Sequence, residues 1–227
     1  MIIFERMKRS LLAVAFLVSF SVSAQVQFSL ATGLSGLRNL SPQQKFWAIG
    51  QTLQVNAHFS SKQSAYAWLD YYTEGKFKNN FTATAKSSLT NPQQQQYTAT
   101  GRLTFRQVSL GLKHYFRGAF NAETDYNIYG LTGFGLLFAH VSNTNSTSVD
   151  TSLYNAPLLP GEGNFRKLTF DLGIGGEVPI GGNFFLFVDG RTWLPASSKT
   201  VPYLHNQKNV PLPVMLSAGM RILFASY

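Results

Sequence analysis

Three features of the sequence predict an all-β fold, a single up-and-down antiparallel transmembrane β-barrel of eight strands. Apolar residues recur at every second position in one run after another. The connections between these runs alternate between short and long. Charged residues make up only 13% of the chain, against about 25% in ordinary soluble domains.

The first element is not part of the barrel. Residues 1–24 place Arg6, Lys8 and Arg9 before the uncharged run "LLAVAFLVSFSV" and the small pair Ser23-Ala24. A basic segment, a short apolar segment and small residues at a cut site make a secretory signal peptide. The run is also short of the roughly 20 residues that a spanning helix needs. Met7 offers a second start with a cleaner basic segment. The expected domain is then 25–227, one unit with no linker.

The eight strands are expected at residues 26–34, 46–59, 65–77, 97–116, 126–141, 166–178, 184–194 and 214–224. Side chains on a strand alternate between two faces. In the second run Ile49, Leu53, Val55 and Phe59 oppose Gln54, Asn56 and His58. In the sixth, Leu168, Phe170, Leu172 and Ile174 oppose Lys167, Thr169 and Asp171. In the last, Val214, Leu216, Ala218, Met220, Ile222 and Phe224 share one face. In the fourth run the apolar parity shifts between Phe105 and Val108, which predicts a β-bulge near Arg106–Gln107 or a longer loop. Residues 60–64, 117–125 and 179–183 are short connections. Residues 35–45, 78–96, 142–165 and 195–213 are long and polar, and "FTATAKSSL" within 78–96 is able to extend strands beyond a membrane. An up-and-down barrel puts successive connections at opposite ends, so the long ones gather at one end, as in bacterial outer-membrane barrels. Trp47, Trp68, Tyr71, Tyr115, Tyr126 and Trp193 fall near strand ends, where aromatic girdles are expected.

Composition narrows the function. The chain has no cysteine, which excludes a disulfide framework and thiolate chemistry. Its formal charge is +9; the signal segment, with Glu5 and three cations, removes +2. The remaining cations are scattered behind an export signal, which favours anionic lipid or saccharide surfaces over nucleic acid. His58, His114 and His205 stand alone, so neither a metal nor a cofactor is expected. A chain this short lacks the 16 or more strands of a wide pore.

Three passages carry a resemblance. "SAGMRILF" resembles the C-terminal assembly signal of outer-membrane barrels, with Gly219, Ile222 and Phe224 in the signal positions and Tyr227 as an alternative terminal aromatic. "VSLGLKHYF" and "YNIYGLTGFGLLF" resemble paired strands of the small outer-membrane β-barrel domain family, OmpA/OmpX-like. The resemblance implies insertion in the bacterial outer membrane after general secretory export. The partners it implies are outer-membrane lipid and lipopolysaccharide, the barrel assembly machinery, and an envelope protein held by the loops. A soluble, lipocalin-like periplasmic binder with its apolar faces inward is the alternative fold reading.

With apolar faces outward, the opposite parity points inward. A turn centred near Gly181 sets Asp171 opposite Arg191, with Asp189 one step along, and a second pair is expected between Glu177 and Arg221. Buried charges need partners, so these five residues are expected to plug the interior. One stretch invites a catalytic reading. "FAHVSNTN" is similar to the His-x-Ser-Asn motif of lipid A deacylases of the PagL type. That resemblance implies His140 as general base, Ser142 as nucleophile and Asn143 in the oxyanion environment. Asp150 and Glu162 follow in the loop, but neither fits the motif's acid position.

Overall fold

The computed structural model describes residues 26–196, 203–205 and 212–224. The expected signal peptide and Tyr227 lie outside them. Ten strands follow in order: β1 Gln27–Asn39, β2 Phe46–Ser60, β3 Gln63–Tyr72, β4 Gly75–Ala85, β5 Gln94–Arg117, β6 Asn127–Asn145, β7 Tyr154–Asn155, β8 Gly161–Gly181, β9 Phe184–Pro195 and β10 Pro213–Leu223. All pairings are antiparallel, in the order β3-β2-β1-β10-β9-β8-β6-β5, and β3 also pairs with β5. Eight strands therefore close into a ring. The seam is the β1–β10 pair, which runs from Ser29↔Leu223 to Asn39↔Pro213. Closure leaves no unpaired edge.

The two remaining strands extend the barrel at one end. β4 continues β3 after a break at Thr73 and Glu74. It pairs with the first half of β5, from Gly75↔Leu103 to Thr84↔Gln94, and with the short β7. Most of the expected loop 78–96 is therefore an ordered hairpin. The short connections at 61–62, 118–126 and 182–183 share the opposite end.

The bulge expected at Arg106–Gln107 is absent. Pairing of β5 with β6 is unbroken from Ala99↔Asn145 to Tyr115↔Tyr129. The extra residue sits on the other side, between Tyr71↔Arg106 and Gly75↔Leu103. Parity along β5 never changes: odd residues from Tyr97 to Tyr115 face inward and even ones outward. What changes is chemistry. Below Arg106 the outward residues are apolar except His114 (Val108, Leu110, Leu112, Phe116), and the inward ones include Gln107, Ser109 and Lys113. Above it, Tyr97, Leu103 and Phe105 are buried inside, while Thr100, Arg102 and Thr104 face out. The sequence records the strand's exit from an apolar surrounding.

Cross-strand rows repeat this switch around the wall. One row, Leu53–Leu69–Val108–Leu136–Leu168, is wholly apolar. The next is Gln51–Tyr71–Arg106–Phe138–Arg166. Above it stand Thr104, His140 and Asn164. The expected girdle residues divide accordingly. Trp47, Tyr71 and Tyr126 are exposed, but Trp68, Tyr115 and Trp193 are buried inside the barrel.

The interior has two layers. An apolar cluster including Phe46, Tyr72, Phe77, Phe105, Leu137, Trp193 and Met215 fills the long-loop end. Loop residue Leu158 joins it, held where Tyr97 Oη donates to the Leu158 carbonyl at 3.0 Å. A polar layer lies beneath. Glycines make room for inward aromatics: a Cβ on Gly111 would stand 2.6 Å from the Tyr66 hydroxyl. At the short-turn end Phe120 stacks on His58 with 4.2 Å between ring centroids. His58 is held in turn by Ser29 at 2.8 Å and Ser64 at 2.5 Å.

Candidate functional site

The charged part of the polar layer is built by inward positions of five strands, β3, β5, β8, β9 and β10. Its buried carboxylates among those described are Asp70, Asp171, Glu177 and Asp189, against the buried lysines and arginines Lys113, Lys167, Arg191 and Arg221. Four acids meet four bases, so the formal charge of this layer is zero. Balance matters because an uncompensated ion out of water costs several kcal/mol.

Glu177 on β8 is the hub of the lower half. It accepts from Arg221 Nη2 at 2.7 Å and Nε at 3.0 Å, from Lys113 Nζ at 3.3 Å and from Tyr115 Oη at 3.1 Å. Arg221 also lies over the Phe185 ring, and Lys113 over Tyr129. Arg221 Nη2 donates to the Phe120 carbonyl at 2.6 Å, which ties the network to the closing turn.

Arg191 on β9 is the hub of the upper half, with partners other than the expected one. Its two terminal nitrogens each donate to Asp70 at 3.1 Å. Nε donates to Asp189 at 3.3 Å, and the guanidinium stacks on Trp68. Asp171 instead accepts from Gln107 at 2.8 Å and Thr169 at 2.9 Å. The reason is register. The β8–β9 hairpin aligns Asp171 with Trp193 and sets Gly173 opposite Arg191, with an irregularity between Pro179 and Gly181. A turn centre misplaced by one residue moves every partner by two.

Asp70, Lys113 and Lys167 were missed by sequence reasoning. Strand parity alone places Asp70 with Trp68 and Tyr66, and Lys113 with Ser109 and Gln107. The partner of Asp70 comes from across the lumen and that of Lys113 from a strand two away, and local pattern carries no such information.

The His140–Asn143 stretch is divided by the strand. His140 and Ser142 face outward, whereas Asn143 is buried inside and donates to the carbonyls of Leu159 at 3.3 Å and Tyr203 at 2.7 Å. His140 Nδ1 meets Asn164 at 3.0 Å. Glu162 is the cross-strand partner of Ser142. The three residues of the expected motif thus do not meet on one face.

At the chain's end, Ile222 and Phe224 face outward. Gly219 lies opposite Gly33 at the seam, and a Cβ there would collide with the Thr32 carbonyl. In the connections, the hydrogen bond from Arg117 holds the Asp125 carboxyl below its ordinary range. Hydrogen bonds from Ser152 do the same for Asp150.

No family model matches the sequence, and no curated protein does. Solved structures do. Neisserial surface protein A superposes with a TM-score of 0.54 at 13% identity, over 87% of this chain and 97% of its own. The chain has the fold of the eight-stranded outer-membrane β-barrels. The barrel also aligns with the outer membrane protein OprG of Pseudomonas aeruginosa at TM-score 0.49 and 9% identity, over 88% and 97% of the two chains. The attachment invasion locus protein Ail of Yersinia pestis aligns at TM-score 0.48 and 14% identity, over 88% and 99%. In this fold the apolar wall faces hydrocarbon and the polar layer is sealed from it. The lipocalin-like alternative fails on orientation: Leu172 is 40% exposed on the wall while Asp171 is 6% exposed inside.

Proposed function

We propose that this chain is a non-enzymatic protein of the bacterial outer membrane that presents a rigid recognition surface on the outside of the cell. The observation that carries the reading is the contrast between its two ends. One end is stoppered by short connections and Phe120. The other carries β4, the upper halves of β5, β6 and β8, and a second apolar core of its own. Recognition is concentrated on connections held by a rigid scaffold, and the long β4–β5 hairpin is such a scaffold. The reading takes the charge-balanced interior, four acids against four bases, as a plug, so that the barrel is a support and not a conduit.

The reading has the chain exported through the general secretory pathway after loss of residues 1–24. The assembly machinery then inserts it by way of the strand bearing Gly219, Ile222 and Phe224. Its neighbours there are outer-membrane lipid and lipopolysaccharide, with an envelope protein as the candidate partner for the hairpin end. Trypsin treatment of intact cells expressing the protein tests the orientation. Cleavage at Lys86, in the turn between β4 and β5, with the rest of the barrel protected is the expected result. Protection of Lys86 until the membrane is opened refutes it.

The lipid A deacylase reading is disfavoured by the inward side chain of Asn143. Mass spectra of lipid A from cells making the protein and its Ser142→Ala variant are expected to be identical.

A further inference from the structure

The outer wall carries a second arrangement, separate from the interior. Along the row Tyr71–Arg106–Phe138–Arg166, cation and aromatic alternate on four adjacent strands. The Arg106 guanidinium lies 5.2 Å from the Tyr71 ring centroid, and Arg166 lies 5.5 Å from that of Phe138. Both arginines are exposed. Among the described residues neither has a carboxylate within 4.0 Å. The interior arginines differ, since Arg191 and Arg221 each hold an acid. The nearest outward acids stand two rows or more above, and Glu74 there is engaged by Lys76 and Arg102.

Directly beneath the row is a groove of about 630 Å³, floored by Leu53, Leu69 and Val108 and bounded above by Tyr71, Arg106 and Phe138. Directly above it are Thr104, His140 and Asn164, neutral hydrogen-bonding groups. The order from below is therefore apolar groove, stacked cations, neutral polar groups. A molecule complementary to it has an acyl chain, an anionic group at the junction, and hydroxyls above.

We propose that this wall is a docking site for a phosphorylated glycolipid of the outer leaflet. One acyl chain lies in the groove, a phosphate is held between Arg106 and Arg166, and sugar hydroxyls meet the row of His140. The two arginines are two strands apart, about 10 Å, so one phosphorylated sugar reaches both. Planar guanidinium groups suit phosphate oxygens, and stacking on a ring fixes their planes before the ligand arrives. The proposal rests on the reading that the hairpin end faces outward, because that orientation puts the row in the outer leaflet.

The test is lipid binding by the folded barrel in detergent micelles, read by native mass spectrometry. The probes are diphosphorylated lipid A, the same lipid after phosphatase treatment, phosphatidylglycerol and inorganic phosphate. Diphosphorylated lipid A is expected to bind one to one. Dephosphorylation, or the double substitution Arg106→Gln with Arg166→Gln, is expected to weaken binding about tenfold or more, the size of lost charge-assisted hydrogen bonds. Arg38→Gln changes a stacked arginine on Trp47 outside this groove and is expected to leave binding unchanged. A heat-dependent gel shift certifies that each variant is folded, and Arg106→Lys with Arg166→Lys serves if the glutamine variant is not. Equal binding by variant and parent, or by the dephosphorylated lipid, overturns the site. Equal affinity for phosphatidylglycerol overturns the sugar, and saturable binding of inorganic phosphate overturns the lipid. Micelles have no sidedness, so this result stands apart from the cell-surface proteolysis that tests orientation.

Discussion

Removing the carboxylate of Glu177 is the sharpest test of the charge balance inside the barrel. Glu177 is 2% exposed, and its cationic partners Arg221 and Lys113 are 1% and 2% exposed. In Glu177→Gln the shape is kept, but four buried bases then face three buried acids. One amide oxygen remains to accept from Arg221, and the amide nitrogen points a donor at other donors. Breaking a buried ion pair by neutralising one partner costs about 3–5 kcal/mol. The expected loss of unfolding free energy, from urea titration of the refolded protein in micelles, lies in that range. Lys113→Met in the same background removes one stranded cation, so it should recover at least ~1 kcal/mol through coupling of neighbours. A loss below about 1 kcal/mol for Glu177→Gln, or no recovery in the pair, would show that water reaches this layer and that the sealed interior is wrong.

Three further outcomes are expected. Gly219→Val puts side-chain atoms into the Thr32 carbonyl at the seam, and the folded, heat-modifiable fraction should fall sharply, while Gly36→Ala, at the same seam with no atom nearer than 4.0 Å to the added Cβ, should fold. Phe120→Ala removes the ring stacked on His58 and should cost ~3 kcal/mol in urea unfolding; a change under ~0.5 kcal/mol would mean the turn does not close the barrel. Tyr97→Phe deletes the hydroxyl that bonds both the carbonyl and the amide of Leu158. It should loosen the 146–160 connection, seen as faster proteolysis there, at a cost of about 1 kcal/mol.

The barrel was legible because strand parity is local. All eight spans show it, and the sorting of connection lengths follows from the up-and-down path. The exit from the apolar surrounding was legible too, but it read as a bulge. A shift of apolar parity between Phe105 and Val108 has two physical causes, an inserted residue or an inversion of surroundings, and a sequence does not distinguish them. β4 was legible only as a possible extension within 78–96, for the same reason: Lys76, Lys78 and Asn80 face water while Phe77, Phe81 and Ala83 face the apolar core of the long-loop end, a pattern weaker than that of a wall strand. Charge pairing was the least legible. Asp171 and Arg191 lie on neighbouring strands, yet one residue of error in the turn separated them. Asp70 and Arg191 are 121 residues apart and meet only because the ring closes.

The central claim is that apolar residues face hydrocarbon while the charges are enclosed. Because the chain has no native cysteine, single spin labels can be placed at Leu172→Cys, Val188→Cys and Leu216→Cys, with Thr100→Cys as the reference beyond the membrane. In lipid bilayers the first three labels should collide readily with oxygen and hardly at all with a water-soluble nickel chelate, and the fourth should show the reverse. Nickel access at Leu172 or Leu216 equal to that at Thr100 would contradict the account.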